Sequence, residues 1–430
     1  QDSERGTFSQ RHAVIYDQDT ARPYCALQNM GCGAQATFQV CNSSLSEAAV
    51  LGFEYGYSLE SDLALTIWEA QFGDFANVAQ AIIDNFIASA ESKWNQKSGL
   101  VLLLPHGYDG QGPEHSSARL ERYLQLVDDD PDVIPGTGSA VMEEVERAWS
   151  VLDADGDGWV KLKHLVSVLD KVSPFAKSSI VSFEMDQGDE NRYLTREEYI
   201  RFAAGWHRRN DERFTNLCVV NCTTPAQYFH VLRRQIHRPF TKPLILMAPK
   251  YLLHHRACRS PWAEFGPHTF FRRMIVEGGA GDNMSKRAPP SGDNVAVRGQ
   301  PTPPGSVRRV IFCTGKIFYD LFHARTARKV TYIVFVRLEQ LAPFPFDRVA
   351  NVAAAHPSAE LVWAQEEPKN MGAYSYIAPR FKTALKQLNG DSRELKYVGR
   401  APAASPASGS FKTHQKELKD LIDAALCSNL

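Results

Sequence analysis

The sequence has 430 residues, of which 43% are hydrophobic and 23% are charged, and its formal net charge at pH 7 is -1. This length exceeds what one hydrophobic core usually supports, so roughly two to four domains are expected. The balanced charge argues against nucleic acid or an anionic membrane surface as the main partner, and no apolar run reaches membrane-spanning length.

Residues 1–135 alternate segments typical of strands with segments typical of helices. "LALTIWEAQ" predicts a buried strand, and "GLVLLLPHG" predicts a central parallel strand that delivers a loop to an active site. Between them, "NVAQAIIDNFIASAESKW" predicts a helix with one buried face, made of Val78, Ala81, Ile82, Asn85 and Phe86. The alternation predicts an α/β fold.

Residues 136–213 have a different character, because they show a helix–loop–helix pattern twice. The first loop lies in "LDADGDGWVKLKHL" and has the alternating aspartates, turn glycine and apolar eighth position of an EF-hand calcium loop: Asp153, Asp155, Asp157, Gly158 and Val160. The twelfth position, where a bidentate Glu is usual, is His164.

The second loop departs from the EF-hand pattern in a different place. Aligning Leu194 with Val160 starts this loop at Gln187, which is 34 residues after Asp153, and puts Glu198 at its twelfth position. That separation is typical of a paired EF-hand module. We expect either weak calcium binding by the three aspartates of the first loop or a structural pair without calcium, since ligand charge and rigidity set the affinity.

The α/β pattern resumes after this insertion and continues to the end. "NLCVVNCTTPAQYFHVLRRQIHRPFTKPLILMAPK" predicts strand, helix, strand, and residues 277–306 are rich in Gly, Pro and Ser, which predicts a flexible linker. The predicted division is one α/β domain from 1–135 with 214–276, an insertion at 136–213, and a second α/β domain at 307–430.

Two stretches carry candidate functional residues. In "CNSSLSEAAVLGFEYGYS", Glu47 precedes a helix, where a carboxylate also has a structural use because it stabilises the helix dipole. In "LLLPHGYDGQGPEHSSARLERYLQ", His106 and His115 lie in a Gly-rich loop after a buried strand, where α/β enzymes bind ligands. The residues alone leave catalytic and structural roles open for both histidines.

Eight stretches in one order carry a family resemblance. The chain resembles the thiamin-diphosphate-dependent component of the 2-oxoglutarate dehydrogenase complex from its first residue to its last, apart from 136–213 and, more loosely, 277–306. The stretches are "ERGTFSQRHAV", "NSSLSEAAVLGFEYG", "WEAQFGDFANVAQAIIDNFI", "LLLPHGYDGQGPEHSSARLERYLQL", "TPAQYFHVLRRQ", "CTGKIFYDL", "RLEQLAPFPFD" and "QEEPKNMGAY".

The resemblance implies a transketolase-like pyrimidine-binding α/β domain and a C-terminal α/β domain, with the EF-hand-like region as an all-α insertion. Glu47 would then hydrogen-bond the pyrimidine ring of thiamin diphosphate and drive proton removal from the cofactor. Phe72 and Phe75 are both candidates to pack on that ring. His115 would face the substrate, and His106 would be a second candidate that shapes the loop.

The resemblance also implies what this sequence lacks. The family's motif for the diphosphate and Mg²⁺ begins with GDG, and the only GDG here, at 156–158, lies inside the calcium-like loop. We therefore expect the Mg²⁺ ligands and most contacts to the substrate carboxylates to lie outside this sequence. The chain alone is expected to be inactive.

The activity implied is oxidative decarboxylation of 2-oxoglutarate in the tricarboxylic acid cycle, with acyl transfer to a lipoyl group. The implied partners are the lipoyl-bearing succinyltransferase, the dihydrolipoyl dehydrogenase and a second copy of the full-length enzyme. The implied location is the mitochondrial matrix, although no targeting segment is recognised here. Two alternatives stay open: a 2-oxoadipate dehydrogenase component, and a non-catalytic calcium-responsive fragment.

Overall fold

The structure is a computed structural model. It describes residues 2–6, 8–31, 33–135, 146–147, 149–150, 152–153, 156–161, 193–196, 198–199, 215–238, 240–267, 269–278 and 307–427. Asp155, His164 and all but the first two residues of the predicted linker lie outside this described part.

The elements alternate along the chain as the sequence predicts. Up to residue 195 they are β1 (Val14–Tyr16), β2 (Pro23–Cys25), the 3-10 helix Ala26–Gln28, α1 (Glu47–Ser58), β3 (Ile67–Glu69), the 3-10 helix Gly73–Ala79, α2 (Gln80–Ile82), the π-helix Ile83–Ile87, α3 (Ala90–Trp94), β4 (Val101–Leu104), α4 (Pro113–Ser116), α5 (Leu120–Gln125), β5 (Trp159–Lys161) and β6 (Tyr193–Thr195). From residue 218 they are β7 (Cys218–Asn221), α6 (Pro225–His237), β8 (Leu244–Met247), the 3-10 helices Lys250–Leu253 and Trp262–Phe265, β9 (Met274–Val276), β10 (Arg309–Cys313), α7 (Ile317–Ala327), β11 (Ile333–Leu338), β12 (Gln340–Ala342), α8 (Phe346–Ala355), β13 (Glu360–Pro368), α9 (Tyr374–Asn389), β14 (Leu395–Arg400) and α10 (Phe411–Leu426).

The first sheet has the order β12-β7-β8-β4-β3 and is parallel except for β12. Every residue of β4, β7 and β8 is buried, and all are apolar except Asn221 at the end of β7, as expected of strands covered on both faces. The prediction that "GLVLLLPHG" holds an interior parallel strand is confirmed, since β4 pairs with β3 on one side and β8 on the other.

The crossover between β7 and β8 begins with a local signal. Thr224 caps α6, and its side-chain oxygen accepts the Gln227 N–H at 3.3 Å. Pro225 occupies the first helical position, where its missing N–H costs nothing. This strand–helix–strand unit is as predicted.

The second sheet has the order β14-β13-β10-β11-β9, and β9 is its antiparallel edge strand. The two sheets exchange strands: β9 precedes the predicted linker but joins the second sheet, whereas β12 follows the linker but joins the first. The Glu339 and Gln340 N–H groups both donate to the Arg273 carbonyl at 3.0 Å, which holds the exchanged strands together. Sheet membership therefore differs from the predicted division at 276–307.

The helix predicted over 77–94 is wrong in its buried face and its regularity. It combines 3-10, α and π turns, and Val78 and Phe86, on the predicted face, are 62% and 37% exposed. The buried side lies one position later, at Ala79, Ile83 and Ile87. Each residue of the predicted face is followed directly by an apolar residue, so the helical periodicity fits both sets of positions equally well. Packing against the rest of the domain buries the later set.

Across the part of the chain that the structure describes, no helix combines the length and apolarity that a membrane span requires.

Candidate active site

The site lies where two neighbouring parallel strands end. Leu104 at the end of β4 is paired with Met247 at the end of β8, and the Ala248 N–H donates to the Leu104 carbonyl at 2.8 Å. The Gly-rich loop after β4 therefore runs beside the 3-10 helix that starts at Lys250. This edge of a parallel sheet is where α/β proteins place ligands.

His115 lies in α4 and is surrounded by groups from both loops. Its Nδ1 is 3.1 Å from Lys250 Nζ, and its ring is 4.4 Å from the Phe72 ring at 60°. Lys250 Nζ also lies 4.4 Å from the Phe72 ring centroid, within cation–π range. His115 is one-third exposed, so the ring remains accessible from solvent.

Phe72 is held against His115 by the glycine that follows it. A Cβ at Gly73 would overlap the Pro105 carbonyl oxygen and lie 2.7 Å from Ala118 Cβ. Only a glycine lets the 3-10 helix approach the β4 loop this closely. Phe75 packs edge-on against Phe72 at 5.0 Å, so both predicted aromatic residues lie in one cluster.

Glu47 is the first residue of α1 and is half-buried. α1 packs against the 3-10 helix Gly73–Ala79, and α4 packs against the same helix. Within the described ranges, no hydrogen-bond or ion-pair partner is seen for the Glu47 carboxylate, which leaves it available to a ligand. The structure thus places α1, which begins at Glu47, and α4, which carries His115, against the 3-10 helix that follows Phe72.

His106 has different surroundings. It is 2% exposed, its Nδ1 accepts the Ala118 N–H at 3.1 Å, and its Nε2 lies 2.8 Å from Glu367 Oε1. These bonds define a neutral ring with its proton on Nε2. Burial lowers the pKa of His106 and the Glu367 carboxylate raises it, with the carboxylate prevailing, but a second proton would have to displace the Ala118 amide.

The acidic pair of "QEEP" joins this loop to the second sheet. Glu366 and Glu367 are both buried, and Lys316 Nζ lies 2.9 Å from Glu366 Oε2 and 3.1 Å from Asp320 Oδ2. Burial raises the pKa of Glu366, and the ammonium opposes that rise. Together with the His106–Glu367 contact, these contacts connect the loop after β4 to β13 and α7.

Sequence reasoning missed Lys250 and Glu367. The signal for Lys250 was present, because "LILMAPK" is a continuous apolar run that ends in a polar residue, as "LVLLLPH" does. Glu367 gave no comparable signal, since its contact with His106 joins residues 261 positions apart.

Two family models match the chain. Residues 1–156 match "Transketolase, pyrimidine binding domain", and residues 259–426 match "2-oxoglutarate dehydrogenase C-terminal". The chain therefore carries a pyrimidine-binding domain of the transketolase kind, followed by a C-terminal domain of the 2-oxoglutarate dehydrogenase kind.

Curated relatives are similar over nearly the whole chain. The chain is 43% identical over 426 residues to "2-oxoglutarate dehydrogenase-like, mitochondrial" of Pongo abelii, with 99% of this chain and 33% of the relative covered. It is 40% identical over 430 residues to "2-oxoglutarate dehydrogenase, mitochondrial" of Dictyostelium discoideum, covering 99% and 34%. The chain is thus similar to 2-oxoglutarate dehydrogenases, and it spans about a third of the length of the curated relatives that it matches.

Proposed function

We propose that this chain is the pyrimidine-binding and C-terminal part of a thiamin-diphosphate-dependent 2-oxoglutarate dehydrogenase. The reaction is oxidative decarboxylation of 2-oxoglutarate with transfer of the acyl group to a lipoyl arm. The observation that carries the proposal is the identity of 40–43% over 98–99% of the chain to relatives named 2-oxoglutarate dehydrogenase or 2-oxoglutarate dehydrogenase-like.

The side chains at the site suit the cofactor. A carboxylate without a partner among the described residues can hold a pyrimidine nitrogen, and an aromatic cluster can pack on the ring. When bound, thiamin diphosphate supplies the electron sink for decarboxylation. We assign the nitrogen contact to Glu47, the aromatic wall to Phe72 and Phe75, and the substrate side to His115.

Of the two aromatic residues, Phe72 is proposed to border the reacting side, because it contacts both His115 and Lys250. His106 is assigned to the loop rather than to the chemistry, since burial and two hydrogen bonds occupy it. We propose that Mg²⁺ is held by residues outside this chain, because the diphosphate motif that the resemblance implies does not occur in this sequence.

The proposed assembly is the one that the family resemblance implies. We propose that the full-length protein is a homodimer located in the mitochondrial matrix, and the relatives' names give a mitochondrial location. Its partners would be the lipoyl-bearing succinyltransferase, which receives the acyl group, and the dihydrolipoyl dehydrogenase.

A chimaera tests the substrate. These 430 residues would replace the matching third of the Dictyostelium discoideum relative, and CO₂ release would be compared with 2-oxoglutarate and 2-oxoadipate. We expect a higher kcat/KM for 2-oxoglutarate. A preference for 2-oxoadipate would favour the related dehydrogenase instead.

We also propose that residues 136–213 form an EF-hand-like pair, and one observation favours it. β5 and β6 pair antiparallel with Val160 directly opposite Leu194, the register that the loop alignment predicts. Asp153 Oδ1 accepts the Gly158 N–H at 3.2 Å, which closes the first loop around its turn glycine.

The segments that flank residues 136–213, here called the stem, are hydrogen-bonded to each other. Asp128 and Asn216 exchange backbone-to-side-chain bonds of 2.9 and 3.1 Å, and Asn216 also donates to the Leu126 carbonyl at 2.8 Å. The flanking segments of the α/β domain thus meet at the base, as a tolerated insertion in a surface loop requires. This supports an independent unit at this position.

Calcium binding by the first loop is the functional part of this second proposal. Titration of the full chain with CaCl₂ in a calorimeter should show one weak site, and Asp153→Ala should remove its heat because it takes away a charged ligand. Asp19→Ala, in an exposed turn, is the matched control. No heat from the unsubstituted chain at millimolar calcium would leave a structural pair without calcium.

A further inference from the structure

We propose that Lys250 is a positioning residue, which holds the His115 imidazole as the neutral tautomer with its proton on Nε2. The effect on rate rests on the proposed function. The tautomer itself does not, because it is a property of this chain.

The hydrogen-bond chemistry of the pair defines the direction of the bond. A lysine ammonium has three donors and no acceptor, and it lies 3.1 Å from His115 Nδ1. The imidazole must therefore offer a lone pair at Nδ1, which places its one proton on Nε2. The Nδ1–H tautomer would bring two donors face to face.

Two features keep Lys250 protonated in this position. The ammonium lies over the Phe72 ring, and a cation is the form that the ring face attracts. Burial lowers the pKa of Lys250, and the Asp109 and Glu114 carboxylates oppose this lowering. A cation is thus retained in a half-buried position.

The backbone fixes where the Lys250 side chain starts. Pro249 packs on Gly107, where an added Cβ would lie 3.3 Å from Pro249 Cβ. Because β4 and β8 are paired, the segments that carry the imidazole and the ammonium leave the sheet from neighbouring strands. A side chain whose backbone is fixed by such packing is held in one geometry.

The consequence concerns the other nitrogen. His115 Nε2 is 3.8 Å from Glu114 Oε1, which is beyond hydrogen-bond distance. The Nε2 proton is thus presented as a donor at the open side of the site. In the proposed reaction, His115 would then donate a hydrogen bond from Nε2 to the substrate, and Lys250 would act through it.

The tautomer can be measured directly. The full chain labelled with ¹⁵N-histidine would be studied by long-range ¹H–¹⁵N correlation NMR, with His115→Asn assigning the signal. We expect a protonated Nε2 and a hydrogen-bonded, unprotonated Nδ1 in the unsubstituted chain. Lys250→Met should shift the Nδ1 resonance, whereas Lys250→Arg, which keeps a donor and a charge, should retain the pattern.

Lys416→Met, an exposed position on α10, is the matched control and should leave the signal unchanged. A protonated Nδ1 in the unsubstituted chain would overturn the proposal without any variant. An His115 signal unchanged by Lys250→Met in a chain with native circular dichroism would also overturn it.

Kinetics in the chimaera give a second readout. Lys250→Met should lower kcat on the order of 10²-fold with little change in KM, because misplacing a reacting group costs rate. Lys250→Arg should recover most of that loss. If the unsubstituted chimaera is inactive, the proposed function fails, and the NMR result still decides the role of Lys250.

Discussion

At the scale of single residues, one loop supplies two histidines with different surroundings. His106 is buried and held by Ala118 and Glu367, whereas His115 is partly exposed and held by Lys250 on one side only. A histidine with both nitrogens occupied shapes the structure, and one with a free N–H can serve chemistry. Burial separates the two roles, although their sequence contexts are alike.

Among single substitutions at the site, we expect the change of Glu47 to lower kcat most. Glu47→Gln keeps the side-chain volume but removes the carboxylate that would hold the pyrimidine nitrogen. We predict a fall in kcat of about 10²- to 10⁴-fold in the chimaera, the usual effect of losing a general acid–base group. Glu60→Gln, an exposed position just beyond α1, should leave kcat unchanged. Equal kcat values for Glu47→Gln and Glu60→Gln would show that Glu47 has no catalytic role.

The sequence identified some of these residues and not others for a physical reason. Glu47 and His115 lie in segments whose local pattern marks a helix start and a loop after a buried strand, whereas Phe72 and Phe75 were indicated only by the family resemblance. Lys250 contacts His115 across 135 positions, and no periodicity carries such a contact. Likewise, the sequence could not choose between Phe72 and Phe75, because their difference depends on which loop packs against them.

At the scale of elements, the site depends on how closely the 3-10 helix Gly73–Ala79 approaches the loop after β4. Gly73 has no side chain at the point of closest contact with Pro105 and Ala118. The prediction of β4 and β8 from continuous apolar runs succeeded because both strands are buried on both faces. The buried face over 77–94 was wrong because adjacent apolar residues offered two stripes.

Gly73→Ala should disturb the site through this contact. The new methyl group would push the 3-10 helix from the loop, which we expect to cost about 1–3 kcal/mol of unfolding free energy and to separate Phe72 from His115. Gly56→Ala, inside α1 with no atom within 4 Å of its added Cβ, should be neutral or stabilise by about 0.5–1 kcal/mol. Denaturant unfolding of both variants measures this, and equal stabilities would contradict the tight contact.

At the scale of the whole molecule, the two sheets are interlocked. Exchanged strands β9 and β12 join them, and the buried His106–Glu367 contact joins the loop after β4 to β13. The alternation of strand and helix patterns predicted an α/β fold but not this exchange, since short edge strands carry little periodicity. A displacement of the second sheet would therefore disturb the candidate site at the ends of β4 and β8 in the first sheet.

Arg380 provides a test of this connection. It lies on α9 and is 5% exposed, and its guanidinium bonds both carboxylate oxygens of Asp129 in the stem of the insertion, at 2.6 and 3.0 Å. Arg380→Met would leave that buried carboxylate without its positively charged partner, although the Tyr376 hydroxyl still donates to it, at a cost of about 3–5 kcal/mol. We predict a lower thermal midpoint than for Lys382→Met, an exposed control on the same helix. Equal midpoints would show that the pair does not hold the units together.

The central claim is tested most directly by CO₂ release from 2-oxoglutarate in the chimaera, with thiamin diphosphate and Mg²⁺ supplied, in the presence of calcium or of a chelator. We predict release that requires the cofactor and Glu47, and a rate that shifts with calcium if the inserted pair regulates the enzyme. A chimaera with native circular dichroism that releases no CO₂, beside an active unsubstituted Dictyostelium discoideum enzyme, would contradict the account.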